Sequence, residues 1–409
     1  MNVARFRQSA APPRRRAAAS LPTVAAATLA RRPTEPMVCL RPAVVTTQAA
    51  RFVRAFPGRV LYAVKCNPDP AVLRALAAGG IRHFDVASLG EVRQVRRLFP
   101  DAVLHFMHPV KARPAIAEAY AQHGVRDFVL DSADELAKIQ DETGHAGDLG
   151  LVVRLALDKG AARLDLSGKF GATADDAVAL LQACAAVSRR VGLSFHVGSQ
   201  CCDPAAWSRA LELAADVVRR AGVALAVLDV GGGFPVAYPD QVPVPLDHFF
   251  AAIRRGTAAM DLPATCELWC EPGRALVAAG QSVVVQIQAR RGDALYVNDG
   301  VYGTLSDAGA LGFRFPCRLI AAGGRGGAAE TRPFILFGPT CDSLDRMDGP
   351  FVLPADCREG DWIEIGQIGA YGVALRTAFN GFDEIVRIEV RDPPLLSTQG
   401  YEVLAARAA

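Results

Sequence analysis

The feature that most limits the possible folds is a regular alternation of short apolar runs with helix-like segments between about residues 58 and 275. Eight apolar runs can be counted, at residues 60–65, 83–87, 103–107, 128–131, 151–157, 193–197, 225–230 and 266–271. The segments between them favour helices, at 70–78, 89–99, 113–123, 133–141, 174–191, 205–221 and 246–260. This pattern predicts an α/β fold built on a parallel (β/α)8 TIM-like barrel. A doubly wound open sheet would need fewer strands and usually a glycine fingerprint after the first strand, which is absent here.

The chain changes character after residue 280, where it becomes rich in β-formers and glycine. Strands of an antiparallel sheet are expected there, at 282–289, 295–298, 334–337 and 362–365. The apolar stretch 37–45 is expected to add a strand, so this β-sheet or β-barrel domain would be discontinuous in sequence. The predicted organisation is a basic disordered extension (1–36), a strand of the β domain (37–45), the barrel (46–280) and the C-terminal β domain (281–409).

Charge and cysteine content narrow the function. Residues 1–36 carry seven arginines and one acid, so the formal net charge of +3 leaves 3 − 6 = −3 for the remaining chain. A weakly acidic body gives no reason to expect nucleic-acid binding, and no apolar run reaches the ~20 residues that span a membrane. The ten cysteines lack the spacing of a metal site and are expected to be free thiols in the cytoplasm. The basic start could be an organellar transit peptide, but a disordered extension or a misassigned start is preferred.

Unusual residues follow the predicted strands where a barrel carries its active site, at the strand C-termini. Lys65 follows the first strand, and its apolar approach predicts a partly desolvated amine with a lowered pKa, suited to Schiff-base chemistry. A surface cation is the alternative. His196 follows the sixth strand, where a buried structural histidine is equally compatible with the sequence.

The last two strands supply a candidate phosphate site. The seventh is followed by Gly231, Gly232 and Gly233, whose amides could approach a phosphate closely. The eighth ends in Glu271-Pro272-Gly273-Arg274, where the arginine could clamp the phosphate and the glutamate could face a protonated ring nitrogen. A lysine, a phosphate site and a pyridinium partner on one barrel face together predict pyridoxal 5′-phosphate as the cofactor. No metal site is predicted.

Eight motifs extend this pattern over residues 37 to 390. They are Tyr62-Ala-Val-Lys-Cys-Asn-Pro68, Lys169-Phe-Gly171, His196-Val-Gly-Ser-Gln200, Gly231-Gly-Gly-Phe-Pro235, Glu271-Pro-Gly-Arg274, Tyr296-Val-Asn-Asp-Gly-Val-Tyr-Gly303, Gly338-Pro-Thr-Cys-Asp-Ser-Leu-Asp345 and Gly369-Ala-Tyr371. In these motifs and their order, the chain resembles the alanine-racemase-fold decarboxylases that act on ornithine, lysine, arginine and diaminopimelate.

The resemblance implies a role for each matching residue. Lys65 would hold the cofactor as an internal aldimine, His196 would stack on its ring, and Glu271 would keep the ring nitrogen protonated. Asp85 and Glu91 resemble family carboxylates near the lysine, and Arg154 matches an active-site arginine. The residues that would hold the phosphate and line the cofactor are Ser199, Gly231, Gly232, Gly233, Pro272, Gly273, Arg274 and Tyr371.

Two further residues imply the substrate and the assembly. Cys341 resembles the residue that returns a proton to the α-carbon, and Asp342 resembles the partner of the substrate's distal ammonium. In the family both come from the neighbouring subunit, which implies a homodimer with shared active sites.

The segment from Cys341 to Asp345 resembles the ornithine/lysine branch of the family. The resemblance favours ornithine as substrate and putrescine formation in polyamine biosynthesis, with lysine or diaminopimelate as alternative substrates. A second substrate carboxylate is expected where Leu311 stands, and Asp307 could replace it from a reshaped loop. The sequence is also compatible with a catalytically inactive regulatory paralogue or with a racemase.

Overall fold

The computed structural model describes residues 21–158, 160, 162–164, 166, 168–324 and 330–398. Residues 1–20 of the predicted extension and 399–409 of the predicted β domain lie outside this range. The chain begins with helix α1 (Val24–Arg31), strand β1 (Met37–Leu40) and helix α2 (Pro42–Ala55). Eight parallel strands and the helices between them follow.

The barrel strands close into a complete ring. They are β2 (Arg59–Ala63), β3 (His83–Val86), β4 (Val103–Phe106), β5 (Asp127–Leu130), β6 (Gly150–Arg154), β7 (Arg190–Ser194), β8 (Val227–Asp229) and β9 (Glu267–Cys270). Every neighbouring pair is parallel, and β2 closes the ring on β9 with Arg59 opposite Trp269. The predicted (β/α)8 barrel is confirmed.

The connecting helices pack outside the strands. They are α3 (Pro70–Ala78), α4 (Leu89–Leu98), α5 (Arg113–His123), α6 (Ala133–Glu142), α7 (Ala174–Val187), α8 (Ala205–Ala221), α9 (Leu246–Ala258) and the short α10 (Arg274–Val277). Several begin at residues that favour a helix start. The hydroxyls of Ser88, Ser132 and Thr173 accept the N–H groups of the first turns of α4, α6 and α7.

The helix that differs most from its predicted range is α7, which was expected at 174–191. α7 ends at Val187, and Ser188 turns the chain by donating its hydroxyl to the Leu149 carbonyl at 2.6 Å. Strand β7 then starts at Arg190, opposite Gly150 of β6. The apolar residues up to Val191 continue the helical pattern, but pairing in the barrel takes precedence over it.

The remaining strands form a second sheet together with β1. They are β10 (Gln281–Arg291), β11 (Ala294–Val297), β12 (Cys317–Ile320), β13 (Thr331–Phe337), β14 (Arg346–Pro354), β15 (Trp362–Ile365) and β16 (Val386–Glu389). The predicted discontinuity in sequence is present, because β1 pairs with β10. The predicted antiparallel pairing is present between β10 and its neighbours β1, β11 and β15. The sheet as a whole is mixed, because β1 runs parallel to β16 and β11 runs parallel to β13.

The N-terminal region also differs from its prediction. Residues 24–31 are helical rather than a disordered extension, because Val24 and Ala27 pack in one cluster with Met37 and Trp362 of the sheet. The predicted strand at 37–45 ends at Leu40. Pro42, whose fixed φ suits a first helical turn, then starts α2.

Candidate active site

The residues predicted to carry the chemistry meet at one end of the barrel. Lys65 lies on a 3-10 turn directly after β2, and Asp85 is near the end of β3. Arg154 ends β6, and His196 and Ser199 follow β7. Residues 231–233 follow β8, and residues 271–274 follow β9. The second sheet contributes Tyr371, whose N–H donates to the Cys66 carbonyl at 2.9 Å.

Lys65 is paired with a buried carboxylate. Its Nζ lies 3.0 Å from Asp85 Oδ2, and the lysine side chain is 44 % exposed while that of Asp85 is 1 % exposed. Burial lowers the pKa of Lys65, but the charges of Asp85 and Glu271 outweigh it and raise the pKa above the ordinary lysine value. The predicted lowering of the Lys65 pKa is therefore wrong. The sequence shows the apolar residues before Lys65, but it does not show that two carboxylates from other strands lie near its amine. Asp85 holds the ammonium in place at the mouth of the barrel.

Three buried carboxyl groups, those of Asp85, Asp229 and Glu271, interact with one another at this mouth. Burial, followed by Asp229 and Asp85, raises the pKa of Glu271 well above its usual range. Burial also raises the pKa of Asp229 to about 6. A hydrogen bond from the Gly231 N–H, at 2.9 Å, lowers this pKa and so opposes part of the rise. Two neighbouring carboxyls that resist ionising together can share one proton. Sequence analysis missed Asp229, although an acid two residues before three glycines at a strand end was visible.

Glu91 is a fourth acid near the lysine. Its carboxylate accepts the Ala87 N–H at 2.7 Å, and burial raises its pKa to about 7. It interacts electrostatically with both Asp85 and Lys65. The predicted proximity of Asp85 and Glu91 to the lysine is thus present in the structure.

His196 is held as a neutral imidazole. Its Nδ1 accepts the Gly198 N–H at 3.0 Å. Burial and the charges of Arg154 and Lys65 lower its pKa well below the ordinary histidine value. A neutral, oriented ring can stack on an aromatic cofactor. Beside it a cavity of about 410 Å³ is lined by, among others, Arg154, Phe170, His196 and Gly198.

The three glycines after β8 lie against neighbouring backbone. A Cβ on Gly231 would stand 2.1 Å from the Phe195 carbonyl oxygen, and one on Gly233 would stand 2.2 Å from that of Gly198. A Cβ on Gly232 would meet the Glu271 carbonyl oxygen at 2.5 Å and His196 Nε2 at 3.0 Å. Glycine is therefore required to bring the loops after β7, β8 and β9 together, beyond any need to approach a phosphate.

Arg274 is the buried cation of the site. Its Nη1 donates to the Tyr238 hydroxyl at 2.8 Å and its Nη2 to Asp307 Oδ2 at 2.9 Å. Its Nε is buried and has no hydrogen-bond partner in the described part of the chain. The suggestion that Asp307 replaces the missing substrate carboxylate is not supported, because this buried aspartate is occupied by the arginine. Leu311 itself is 38 % exposed.

These features fit pyridoxal phosphate. A buried arginine N–H without a partner can donate to a phosphate, and closely packed glycine loops leave backbone amides near it. Lys65 offers an amine, and the acids beside His196 offer a partner for a ring nitrogen. The donor set thus matches the phosphate, the aldehyde and the pyridine ring of the cofactor.

Cys341 and Asp342 lie away from this cluster, on an exposed loop between β13 and β14. Cys341 is an exposed free thiol whose N–H and Sγ both contact Asn380 Oδ1, at 3.2 and 3.3 Å. Asp342 accepts hydrogen bonds from the Leu344 N–H, at 2.9 Å, and from the Tyr302 hydroxyl. Among the described residues, no hydrogen bond or ion pair joins this loop to Lys65.

A lysine, a buried arginine and a carboxyl cluster at the mouth of a (β/α)8 barrel with a second sheet define a class of pyridoxal-phosphate enzyme. The chain belongs to the pyridoxal-dependent decarboxylases. Residues 43–278 match the family's pyridoxal binding domain, and residues 195–369 match its C-terminal sheet domain. The protein is a pyridoxal-phosphate-dependent amino-acid decarboxylase.

Individual relatives agree with this assignment. The chain is 34 % identical to the ornithine decarboxylase of Panagrellus redivivus over 86 % of this chain and 84 % of the relative. It is 33 % identical to the lysine/ornithine decarboxylase of Selenomonas ruminantium over 82 % of this chain and 84 % of the relative.

A solved structure is also similar. The lysine/ornithine decarboxylase of Vibrio vulnificus complexed with putrescine matches with a TM-score of 0.76 and 32 % identity, over 90 % of this chain and 99 % of that one. Within the described residues, no helix combines the length and apolar character needed to cross a membrane.

Proposed function

We propose that the enzyme decarboxylates a basic L-amino acid, with ornithine as the preferred substrate and putrescine as the product. The observation that carries the substrate proposal is Asp342. Hydrogen bonds from the Leu344 N–H and the Tyr302 hydroxyl lower the pKa of this half-buried carboxyl, so it is ionised at neutral pH. A carboxylate fixed next to a free thiol can bind the distal ammonium of the substrate while the thiol donates a proton to the α-carbon. Relatives named ornithine decarboxylase support the choice.

The same loop supports a homodimer with shared active sites. Cys341 and Asp342 have no contact with Lys65 in their own chain and would instead reach the Lys65 of a second copy. Exposed apolar side chains accompany the loop, as expected of a surface that becomes buried. They are Leu344, at 73 % exposure, Leu375, Phe379 and Phe382. Mixing two inactive variants, Lys65→Ala and Cys341→Ala, should then restore up to about a quarter of wild-type activity through mixed dimers with one intact site.

The residues at the mouth divide the work of the reaction. When bound, the cofactor supplies an electron sink for the electron pair of the broken bond between the α-carbon and the carboxylate. Lys65 would anchor it covalently, Asp85 would orient that amine, and His196 would pack against the ring. Glu271 would face the ring nitrogen. Carbon dioxide leaves, and Cys341 Sγ would give its proton to the α-carbon.

Lysine is the second candidate substrate, because the pocket lacks the second carboxylate that was expected to bind the substrate. Leu311 occupies the place expected for a second carboxylate, and Asp307 is held by Arg274. Asp342 would then bind the distal ammonium without that second acid. The relatives named for both amino acids, in Selenomonas ruminantium and Vibrio vulnificus, support this alternative.

The deciding experiment is a substrate panel. Carbon dioxide release is measured from L-ornithine, L-lysine, L-arginine and diaminopimelate, with the Lys65→Ala protein as the control. We expect the largest kcat/KM for ornithine and a smaller value for lysine. No release from any of the four substrates by the cofactor-loaded protein would refute the proposal. We also propose a cytoplasmic location, supported by the free thiols of Cys39, Cys66, Cys184, Cys201 and Cys270, among others.

A further inference from the structure

Asp307 forms a buried bridge between the second sheet domain and the barrel. It lies in a short 3-10 turn, Ser306–Ala308, and its Oδ2 accepts from Arg274 Nη2 at 2.9 Å. The two side chains are 7 % and 4 % exposed. Removing a buried charge from its partner is costly, so the aspartate and the arginine hold one another in place.

The guanidinium is fixed on several sides. Tyr238, also buried, accepts from Nη1 at 2.8 Å. The rings of Phe313 and Tyr371 lie 4.6 and 5.2 Å from the guanidinium carbon. Phe313 is itself tied to the turn, because its N–H donates to the Asp307 carbonyl at 2.9 Å. The guanidinium is therefore held in one orientation, and that orientation determines which of its N–H groups faces a ligand.

One guanidinium nitrogen is left without any partner. Nε has no partner among the described residues, although a buried N–H without one is costly in a folded protein. Asp307 also cancels the charge of Arg274. The bound pair therefore presents a directed N–H donor in place of a free cation.

We propose that Asp307 is a positioning residue for the phosphate of the cofactor. It acts through Arg274: together with Tyr238 it accepts one N–H from each terminal nitrogen and holds the guanidinium so that Nε, the nitrogen without a partner, donates to a phosphate oxygen. This inference rests on the proposed role of Arg274 in binding that phosphate. It assigns Asp307 to cofactor binding, whereas the sequence suggested a contact with the substrate.

Comparing two ligands that differ only in the phosphate tests the proposal. Cofactor-free full-length protein is titrated with pyridoxal phosphate and with pyridoxal, and each Kd is measured from visible absorbance. Asp307→Ala should weaken pyridoxal phosphate roughly 10- to 100-fold, the size expected for losing a hydrogen bond to a charged group. Asp307→Asn keeps a neutral acceptor and should weaken it about 3- to 10-fold. Neither substitution should change the Kd of pyridoxal more than about 2-fold.

The chain offers a matched control. Glu364 and Arg41 form another buried pair at 2.9 Å, within the second sheet domain. Glu364→Gln should lower the unfolding temperature and leave the ratio of the two Kd values unchanged.

An unchanged ratio in folded Asp307→Asn protein would overturn the proposal, and that variant decides the matter if Asp307→Ala does not fold. Tighter binding of pyridoxal phosphate would also overturn it, since Asp307 would then only offset the arginine's charge. If wild-type protein binds the two ligands equally well, the role of Arg274 itself is wrong.

Discussion

The two ends of the barrel use the same kinds of polar residue in opposite ways. At the N-terminal end six side chains form a closed ring in which each has neighbours within 3.4 Å: Arg59, His83, His105, Asp127, Arg190 and Glu267. At the C-terminal mouth, the buried atoms Asp85 Oδ1 and Arg274 Nε have no hydrogen-bond partner in the described chain, and Asp229 Oδ2 has none apart from the neighbouring Glu271 carboxyl. In the ring, His105 Nδ1 also makes no hydrogen bond of good geometry, but it faces the Asp127 carboxylate at 2.9 Å.

This difference separates a structural network from a binding site. Buried polar groups are almost always paired, so a cluster of unpaired ones marks a place where a ligand completes the network. The raised pKa values of Glu271 and Asp229 lie at the same end. Charged residues alone do not distinguish the two ends, because both carry acids and arginines. What distinguishes the two ends is whether their buried polar atoms have hydrogen-bond partners.

The largest expected effect is at the mouth. Lys65→Ala should abolish the visible absorption band of the bound cofactor. It should also lower kcat by about 10⁴-fold, the upper end of the range for a positioned proton-transfer group. Absorption spectroscopy and carbon dioxide release measure both effects. A variant that keeps the band would show that another amine holds the cofactor.

A matched pair on one strand tests the comparison directly. Glu271 follows β9 at the mouth, and Glu267 begins the same strand in the ring. Glu271→Gln should lower kcat about 10²-fold, comparable to losing a preorganised polar group, without lowering the unfolding temperature. Glu267→Gln removes charge from contacts with Arg59, Arg190 and Trp269, so it should leave kcat unchanged and lower the unfolding temperature by a few degrees.

Kinetics and thermal unfolding of both proteins give the answer. Equal loss of kcat in the two variants would mean that the ring also serves catalysis, and the distinction between the two ends would fail.

Cys341→Ala should have a smaller effect, on the order of 10²-fold in kcat, because only the proton return to the α-carbon is lost. The Kd of the cofactor should not change, since Lys65, Arg274 and the glycine loops that would hold the cofactor are left intact. Product analysis should show part of the substrate diverted to a side product. A weaker cofactor Kd in this variant would contradict the assigned role.

The barrel was predictable because its signals are local. The ranges 70–78, 113–123 and 205–221 agree with the observed helices, since apolar spacing and flanking residues act within a few positions. The errors arose where distant contacts decide. Helix α1 depends on packing against Trp362, and β7 takes Arg190 because of its pairing with Gly150.

Prediction of the site had the same limit. Counting strands placed Lys65, His196 and Glu271 at one end, because every parallel strand of a barrel ends on the same face. The state of those residues was not predictable. The raised pKa of Lys65 depends on Asp85 from the next strand. The pairing of Asp307 with Arg274 depends on how a loop of the second sheet domain folds onto the barrel.

The smallest expected effect belongs to the ring. Burial, and then the charges of His105 and Arg59, lower the pKa of His83 to about 4, against the opposing charges of Glu267 and Asp127. An unfolded histidine titrates near 6.5, so between about 6.5 and 4 the unfolded chain takes up a proton that the folded ring resists. Stability should be full above about pH 6.5 and fall by roughly 1–3 kcal/mol as the pH drops to about 4.

Urea unfolding midpoints of wild type and His83→Gln across this range isolate the contribution of the ring, because other titrating groups are common to both proteins. The wild-type midpoint should decline more steeply with falling pH. Parallel curves would mean that protonating His83 in the folded ring does not destabilise the protein. The ring at the N-terminal end would then tolerate an added charge as well as the mouth does.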